Sequence, residues 1–165
     1  MRRKSTANVK VERHTRANAS EGIDYGPLDQ WIGFNLRMAQ DASFQAFARL
    51  SKREIGMRPG RFATLTLIGR NPGISQTALS RANSRDKSTL TPLLADLVHR
   101  GLIRRIRTRD DRRTYRLTLT PAGEKLLRQL TDCARLHEAN LDAVIGARDR
   151  ATFLRVLKRL QAQLA

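Results

Sequence analysis

A single cysteine, Cys133, stands in this 165-residue chain, so no internal disulfide can form, and no C-x-x-C pair is present to build a zinc ribbon. A reducing compartment is expected. No apolar run approaches the ~20 residues that span a bilayer. Met1-Arg2-Arg3-Lys4-Ser5 leads into polar residues where a secretory signal would carry its apolar stretch, so a cytoplasmic protein is expected. The only histidines are His14, His99 and His137, none at metal-ligand spacing, and no glycine-rich phosphate loop or nucleophile motif occurs. The expectation is therefore no enzyme, no cofactor and no metal site. Acids are scarce as well: 15 Asp plus Glu face 32 Lys plus Arg, a formal +17. Such an excess repels itself unless the working partner is polyanionic, and nucleic acid is the first candidate.

The charge is also unevenly spread. Met1 to Ser20 holds six basic residues against one acid, and Arg100 to Arg116 holds eight against two. A merely solvated surface would scatter its cations along the whole chain. The length suits one main domain with a real core. Residues 1–22 have few apolar side chains and no period, which predicts a flexible basic arm.

Helical spacing begins at Gly26-Pro27, with Pro at the first helical position and Leu28, Trp31, Ile32, Asn35, Ala39, Ala42, Ala46 and Leu50 in one stripe. Phe34, Met38 and Phe44 fall off that stripe, and a helix apolar on more than one face is usually buried by more than its own domain. A second helix is predicted from Pro59, carrying Phe62, Leu65 and Ile68 and ending at Gly69 before the turn Asn71-Pro72-Gly73. Ser75 then sits between Ile74 and Leu79 as a capping residue inside a hydrophobic staple, which opens a short helix through Ala82. After Asn83-Ser84-Arg85 comes a further helix with Leu90, Leu93, Leu94, Leu97 and Val98 at i, i+3, i+4, i+7 and i+8, closed by Arg100-Gly101. Two short helices three residues apart form a helix-turn-helix.

The opposite face of that second helix carries Ser88, Thr91, Ala95 and His99, with Lys87 and Thr89 beside them. These small side chains, read as donors, suit close approach to base edges in a major groove. Pro92 is tolerable there if Ser88 is the cap, because it then falls in the first turn. Leu102 to Arg107 and Tyr115 to Leu119 alternate with period two and predict a hairpin. Its tip, Arg107 to Arg113, is too polar for a core. Arg107, Arg109, Arg112 and Arg113 suit a minor groove, while Asp111 is assigned to orienting the tip.

Asp111-Arg112-Arg113 followed by Leu119-Thr120-Pro121-Ala122-Gly123 resembles the wing signature of the MarR family, D-x-R and then L-T-x-x-G. Lys87 to Leu94 is similar to the recognition helix of that family's organic-peroxide-sensing branch, and the likeness runs from about Arg58 to Gly123. Peroxide sensing itself is not expected, since the first helix lacks the reactive cysteine and Cys133 lies in a later one. The resemblance implies a mainly α fold with a small β-hairpin wing. It divides the chain into the arm (1–22), an N-terminal dimerisation helix (23–57), a winged helix-turn-helix DNA-binding domain (58–120) and C-terminal dimerisation helices (121–165).

The last part agrees: Thr120-Pro121 opens a long amphipathic helix, and Asp149 is expected to cap a final one bearing Phe153, Leu154, Leu157, Leu160 and Leu164. A homodimer on an inverted-repeat operator in double-stranded DNA follows from the resemblance, with Ser75, Gln76, Thr77, Arg85, Lys87, Ser88, Thr89, Thr91 and Pro92 joining the wing arginines as contacts. It further implies a repressor released by a small anionic aromatic or acyl-CoA effector, for which Trp31, Phe34, Arg37, Met38, Phe44 and Phe62 are the expected pocket. The alternatives are an architectural or an RNA-binding winged-helix protein without an effector.

Overall fold

The computed structural model describes residues 23–51, 59–107 and 115–164, and the chain divides into two compact units, residues 1–38 and 39–165. The basic arm expected over 1–22 lies outside the described residues. In the first unit, a 3-10 helix, Gly26–Gln30, precedes the start of α1 (Ile32–Leu50). The sequence predicts one unbroken helix here, but Trp31 between the two segments is extended, with φ −86° and ψ 126°. Pro27 accounts for the difference: its fixed φ suits a 3-10 and an α turn equally, so it marks a start without choosing the pitch. Asn35 covers the break by donating its amide to the carbonyls of Asp29 at 2.7 Å and Trp31 at 3.0 Å.

The second unit runs α2 (Pro59–Arg70), β1 (Ile74–Ser75), α3 (Gln76–Ala82), α4 (Lys87–His99), β2 (Ile103–Arg107), β3 (Tyr115–Leu119), α5 (Pro121–Ile145) and α6 (Ala147–Leu164). The strands form one antiparallel sheet in the order β1-β3-β2, with Ile103 opposite Leu119 and Arg107 opposite Tyr115. The two-residue β1 pairs Ile74 with Leu117 and is too short for any period to reveal. Leu65, Ile68, Leu79, Leu90, Leu94, Leu97, Ile103, Leu117 and Leu130 are buried in a single core. Each helix of the helix-turn-helix, the sheet and α5 therefore contribute to one apolar centre. Burying a side chain of this size stabilises by about 1.5–3 kcal/mol. A helix-turn-helix followed by a β-hairpin on such a core is a winged helix.

The start of α5 is built around the Leu-Thr-x-x-Gly run. Thr120 caps the helix by accepting from the Gly123 N–H at 3.0 Å, and it donates its hydroxyl to the Gly101 carbonyl at 2.6 Å. Its own N–H donates to the Leu102 carbonyl at 3.0 Å. Gly123 packs against that same carbonyl so closely that a Cβ would collide with it. Gly101, at φ +66°, makes the left-handed turn that the end of α4 requires.

Asp149 does not cap α6. The helix begins at Ala147, and the Gly146 carbonyl accepts from the N–H groups of Asp149 and Arg150 at 3.2 and 3.1 Å, so Asp149 lies in the first turn. Gly146, at φ +82°, supplies the break that no other residue type makes cheaply. Arg150 pairs with Asp142 across it at 2.6 Å. None of the 18 residues of α6 is buried. Among the described residues, no helix is long and apolar enough to cross a membrane.

Candidate nucleic-acid interface

Side-chain hydrogen bonds fix the turn between α3 and α4. Ser75 caps α3, accepting from the Ala78 N–H at 3.2 Å, as its place in the staple predicts. At the far end Ser84 takes a left-handed conformation, φ +46°, and the Ser80 hydroxyl donates to the Arg85 carbonyl at 2.5 Å. The Asn83 amide donates to the buried Thr64 hydroxyl of α2 at 2.9 Å, and Thr64 donates to the Gly60 carbonyl at 2.8 Å. Asn83 and Thr64 thus tie the turn to the helix behind it, a role that separation in sequence conceals. Arg85 lays its guanidinium over Gly60, where a Cβ would strike it.

Asp86, and not Ser88, caps α4. Its carboxylate accepts from the Thr89 N–H at 2.7 Å, the Ser88 hydroxyl at 2.6 Å and the Thr89 hydroxyl at 3.2 Å. The Ser88 hydroxyl bond, followed by the Thr89 amide and hydroxyl, lowers its pKa from the ordinary 3.8 to about 2. A carboxylate with two oxygens satisfies three donors where a serine satisfies one, and its charge suits a helix N-terminus. The cap therefore moves two residues earlier, and Pro92 lies inside the helix beyond its first turn. There it withholds the N–H that the Ser88 carbonyl would otherwise receive.

Lys87, Ser88, Thr89, Thr91 and Pro92 are all exposed along one end of α4, with exposed Thr77 and half-buried Ser75, Gln76 and Arg85 alongside in sequence and fold. The hydroxyls there differ from the donors expected of them. Ser88 and Thr89 direct their protons to Asp86, and Thr91 donates to the Lys87 carbonyl at 2.7 Å. Each hydroxyl oxygen is left able only to accept. Gln76, the first residue of α3, donates its amide to Thr91 Oγ1 at 3.0 Å and links the two helices across their exposed side.

The wing stem leaves the core quickly: Ile103 is buried, while Arg104, Arg105, Ile106 and Arg107 are exposed. Arg107 donates to the Tyr115 hydroxyl at 3.0 Å, with its guanidinium 5.4 Å from that ring, and Arg116 donates to the Gly73 carbonyl at 3.3 Å. Arg109, Asp111, Arg112 and Arg113 lie outside the described residues. A surface of exposed cations beside a helix displaying small polar groups can grip phosphates and read base edges.

The residues expected to line an effector pocket fall in both units. In the first, Trp31 is exposed, and Phe34 packs on Tyr25 with ring centroids 5.6 Å apart. Arg37 lies 5.3 Å over the Phe34 ring and donates to the Met38 sulfur at 3.2 Å, Met38 itself being exposed. In the second, Phe44 is exposed and Phe62 stacks on buried Phe47 at 5.6 Å. His137 meets Phe47 edge-on at 5.8 Å and shares a 2.9 Å hydrogen bond with Ser43 through Nε2. Its Nδ1 is buried without a hydrogen-bond partner among the described residues. Phe47, Ser43 and His137 form a small polar-apolar cluster that helical spacing alone could not assemble. A separate groove of about 620 Å³ runs between the end of α2, β3 and α5, floored by Ile68, Leu119 and Leu127, and none of the expected pocket residues lines it.

The model of the MarR family matches residues 57–115. A protein of Thauera aromatica described as a putative transcriptional regulatory protein for the hcr operon is 34% identical over 139 residues, covering 84% of each chain. Among solved structures, the transcriptional repressor CouR bound to a 23-mer DNA duplex superposes with a TM-score of 0.77. It is 28% identical, covering 85% of this chain and 99% of that one. CouR bound to p-coumaroyl-CoA gives the same TM-score at 26% identity, with 86% and 99% covered.

Proposed function

Because this chain belongs to the MarR family of transcriptional regulators, we propose that it is a homodimeric repressor that holds an inverted-repeat operator in duplex DNA and leaves it when an effector binds. The observation that carries the reading is the exposed end of α4, with Lys87, Ser88, Thr89 and Thr91 beside α3 and the arginine-bearing wing stem. The likeness to a repressor solved on a DNA duplex supports α4 as the helix that enters the major groove. Arg107, with Arg109, Arg112 and Arg113 beyond it, is assigned to the neighbouring minor groove and Asp111 to orienting the tip.

The apolar surface of the last two helices supports the homodimer. Val144 is 86% exposed, Leu136 60% and Phe153 44%, and α6 has only Leu157 and Leu160 half-buried and no residue fully buried, so a second copy is the natural cover for an amphipathic helix that one copy leaves largely in water. Two-fold symmetry then sets half-sites about one helical turn apart.

The effector is assigned to the class of small anionic aromatics, a phenolic acid or its coenzyme A thioester. Support comes from the CouR complex with p-coumaroyl-CoA and from aromatic side chains of each unit taken by itself, Trp31 and Phe34 with the cation Arg37 in the first and Phe44 and Phe62 in the second. The test is a titration of the operator-bound protein with p-coumaroyl-CoA and the free acid, followed by gel shift and Trp31 fluorescence. Release of the duplex with a change in fluorescence supports the assignment. Saturating ligand that leaves both signals unchanged removes this effector class.

A further inference from the structure

We propose that Gln76 and Thr91 act as one base-reading unit that selects adenine over guanine in each half-site, an inference that rests on the DNA-binding reading above. The Thr91 hydroxyl has a single proton, and it goes to the Lys87 carbonyl at 2.7 Å. Its oxygen can then meet Gln76 only as an acceptor, so the Gln76 group 3.0 Å away is the amide NH2. Hydrogen bonding thus decides an amide orientation that the similar sizes of oxygen and nitrogen leave open. What remains on Gln76 is its second N–H and its carbonyl oxygen.

That fork of one donor and one acceptor matches adenine, whose major-groove edge presents N7 as acceptor and the N6 amino group as donor. Guanine presents two acceptors, N7 and O6, and would set O6 against the Gln76 oxygen. Thr91 cannot relieve the mismatch, because its proton is already committed inside the helix. Nor can Ser88 or Thr89, whose protons are held by Asp86. Half-buried and tied at its amide, Gln76 also loses less rotamer freedom on docking than a free glutamine would. The pairing joins the first residue of α3 to the middle of α4, so the discrimination depends on both helices of the motif.

The experiment is selection from a random duplex pool with the full chain as wild type, Thr91→Val and Gln76→Ala, each checked for helix content by circular dichroism. Affinities are then measured on the selected operator and on A·T to G·C changes at every position. Wild type is expected to select an inverted repeat with an adenine in each half whose change to guanine weakens binding about 10-fold, the range of one bidentate base contact. Thr91→Val keeps the shape and removes the hydroxyl, so the amide is released and the preference at that position should shrink to within about three-fold. Gln76→Ala should act likewise, and discrimination at the other positions should persist in both.

A preference retained in either variant would overturn the pair while leaving sequence-specific binding intact. A preference lost at all positions alike would also overturn it, since the two residues would then be structural. A wild-type chain that selects no duplex sequence would overturn the pair together with the DNA-reading function.

Discussion

Replacing Gly123 with alanine sets two effects of opposite sign against each other. In an ordinary helix the change stabilises by up to about 1 kcal/mol, because glycine loses more backbone freedom on folding. Here the new Cβ would collide with the Leu102 carbonyl oxygen, a backbone atom that cannot rotate away. Relief requires α5 or the Gly101-Leu102 turn to move. The Leu102 carbonyl accepts the Thr120 N–H, and the Gly123 N–H donates to Thr120 Oγ1, so movement disturbs both bonds. Overpacking of this kind costs about 1–3 kcal/mol, and a weakened hydrogen bond adds about 1 kcal/mol. Set against the propensity gain, the net expectation is a loss of about 1–3 kcal/mol. The assay is urea unfolding followed by circular dichroism at fixed protein concentration, since dimer formation makes stability concentration-dependent. A variant as stable as wild type, or more so, would refute the role given to Gly123 in seating the wing against α5.

Two further changes probe α4. Pro92→Ala restores an N–H to the Ser88 carbonyl and should stabilise by about 1–3 kcal/mol in the same assay, because proline inside a helix costs about 3 kcal/mol; a destabilised variant would mean that Pro92 is not strained. Asp86 is held at about 2, chiefly by the Ser88 hydroxyl. A carboxyl whose pKa falls on folding contributes fully above the unfolded value, and that contribution is lost as pH drops from about 4 towards 2. Asp86→Asn keeps a capping oxygen but no titration, so its stability should fall less than that of wild type over this window. Parallel acid limbs for the two proteins would contradict the cap.

Local signals carried most of the fold. The Ile74, Ser75, Leu79 staple, the leucine period of α4, Gly101 and Thr120-Pro121 each encode one end or one face of an element within a few residues, and the structure places each accordingly. The differences arise where two local solutions compete or where the partner is distant. Pro27 opens a 3-10 helix as readily as an α-helix, and Ser88 looks like a cap until the carboxylate two residues earlier takes the role and binds the serine as well. At the candidate interface, the sequence marked Gln76 and Thr91 as expected DNA contacts. The direction of their protons depends on a contact between residues 15 apart, which spacing does not specify. Phe47 and His137, 90 residues apart, meet through tertiary packing alone.

Sequence-specific duplex binding is measured most directly by footprinting the full chain on the DNA upstream of its own coding sequence, with random duplex and matched RNA as competitors at physiological salt. A protected inverted repeat with half-sites about one helical turn apart, resistant to both competitors, is the predicted result. Equal displacement by random duplex or by RNA, with no protected repeat, would contradict it.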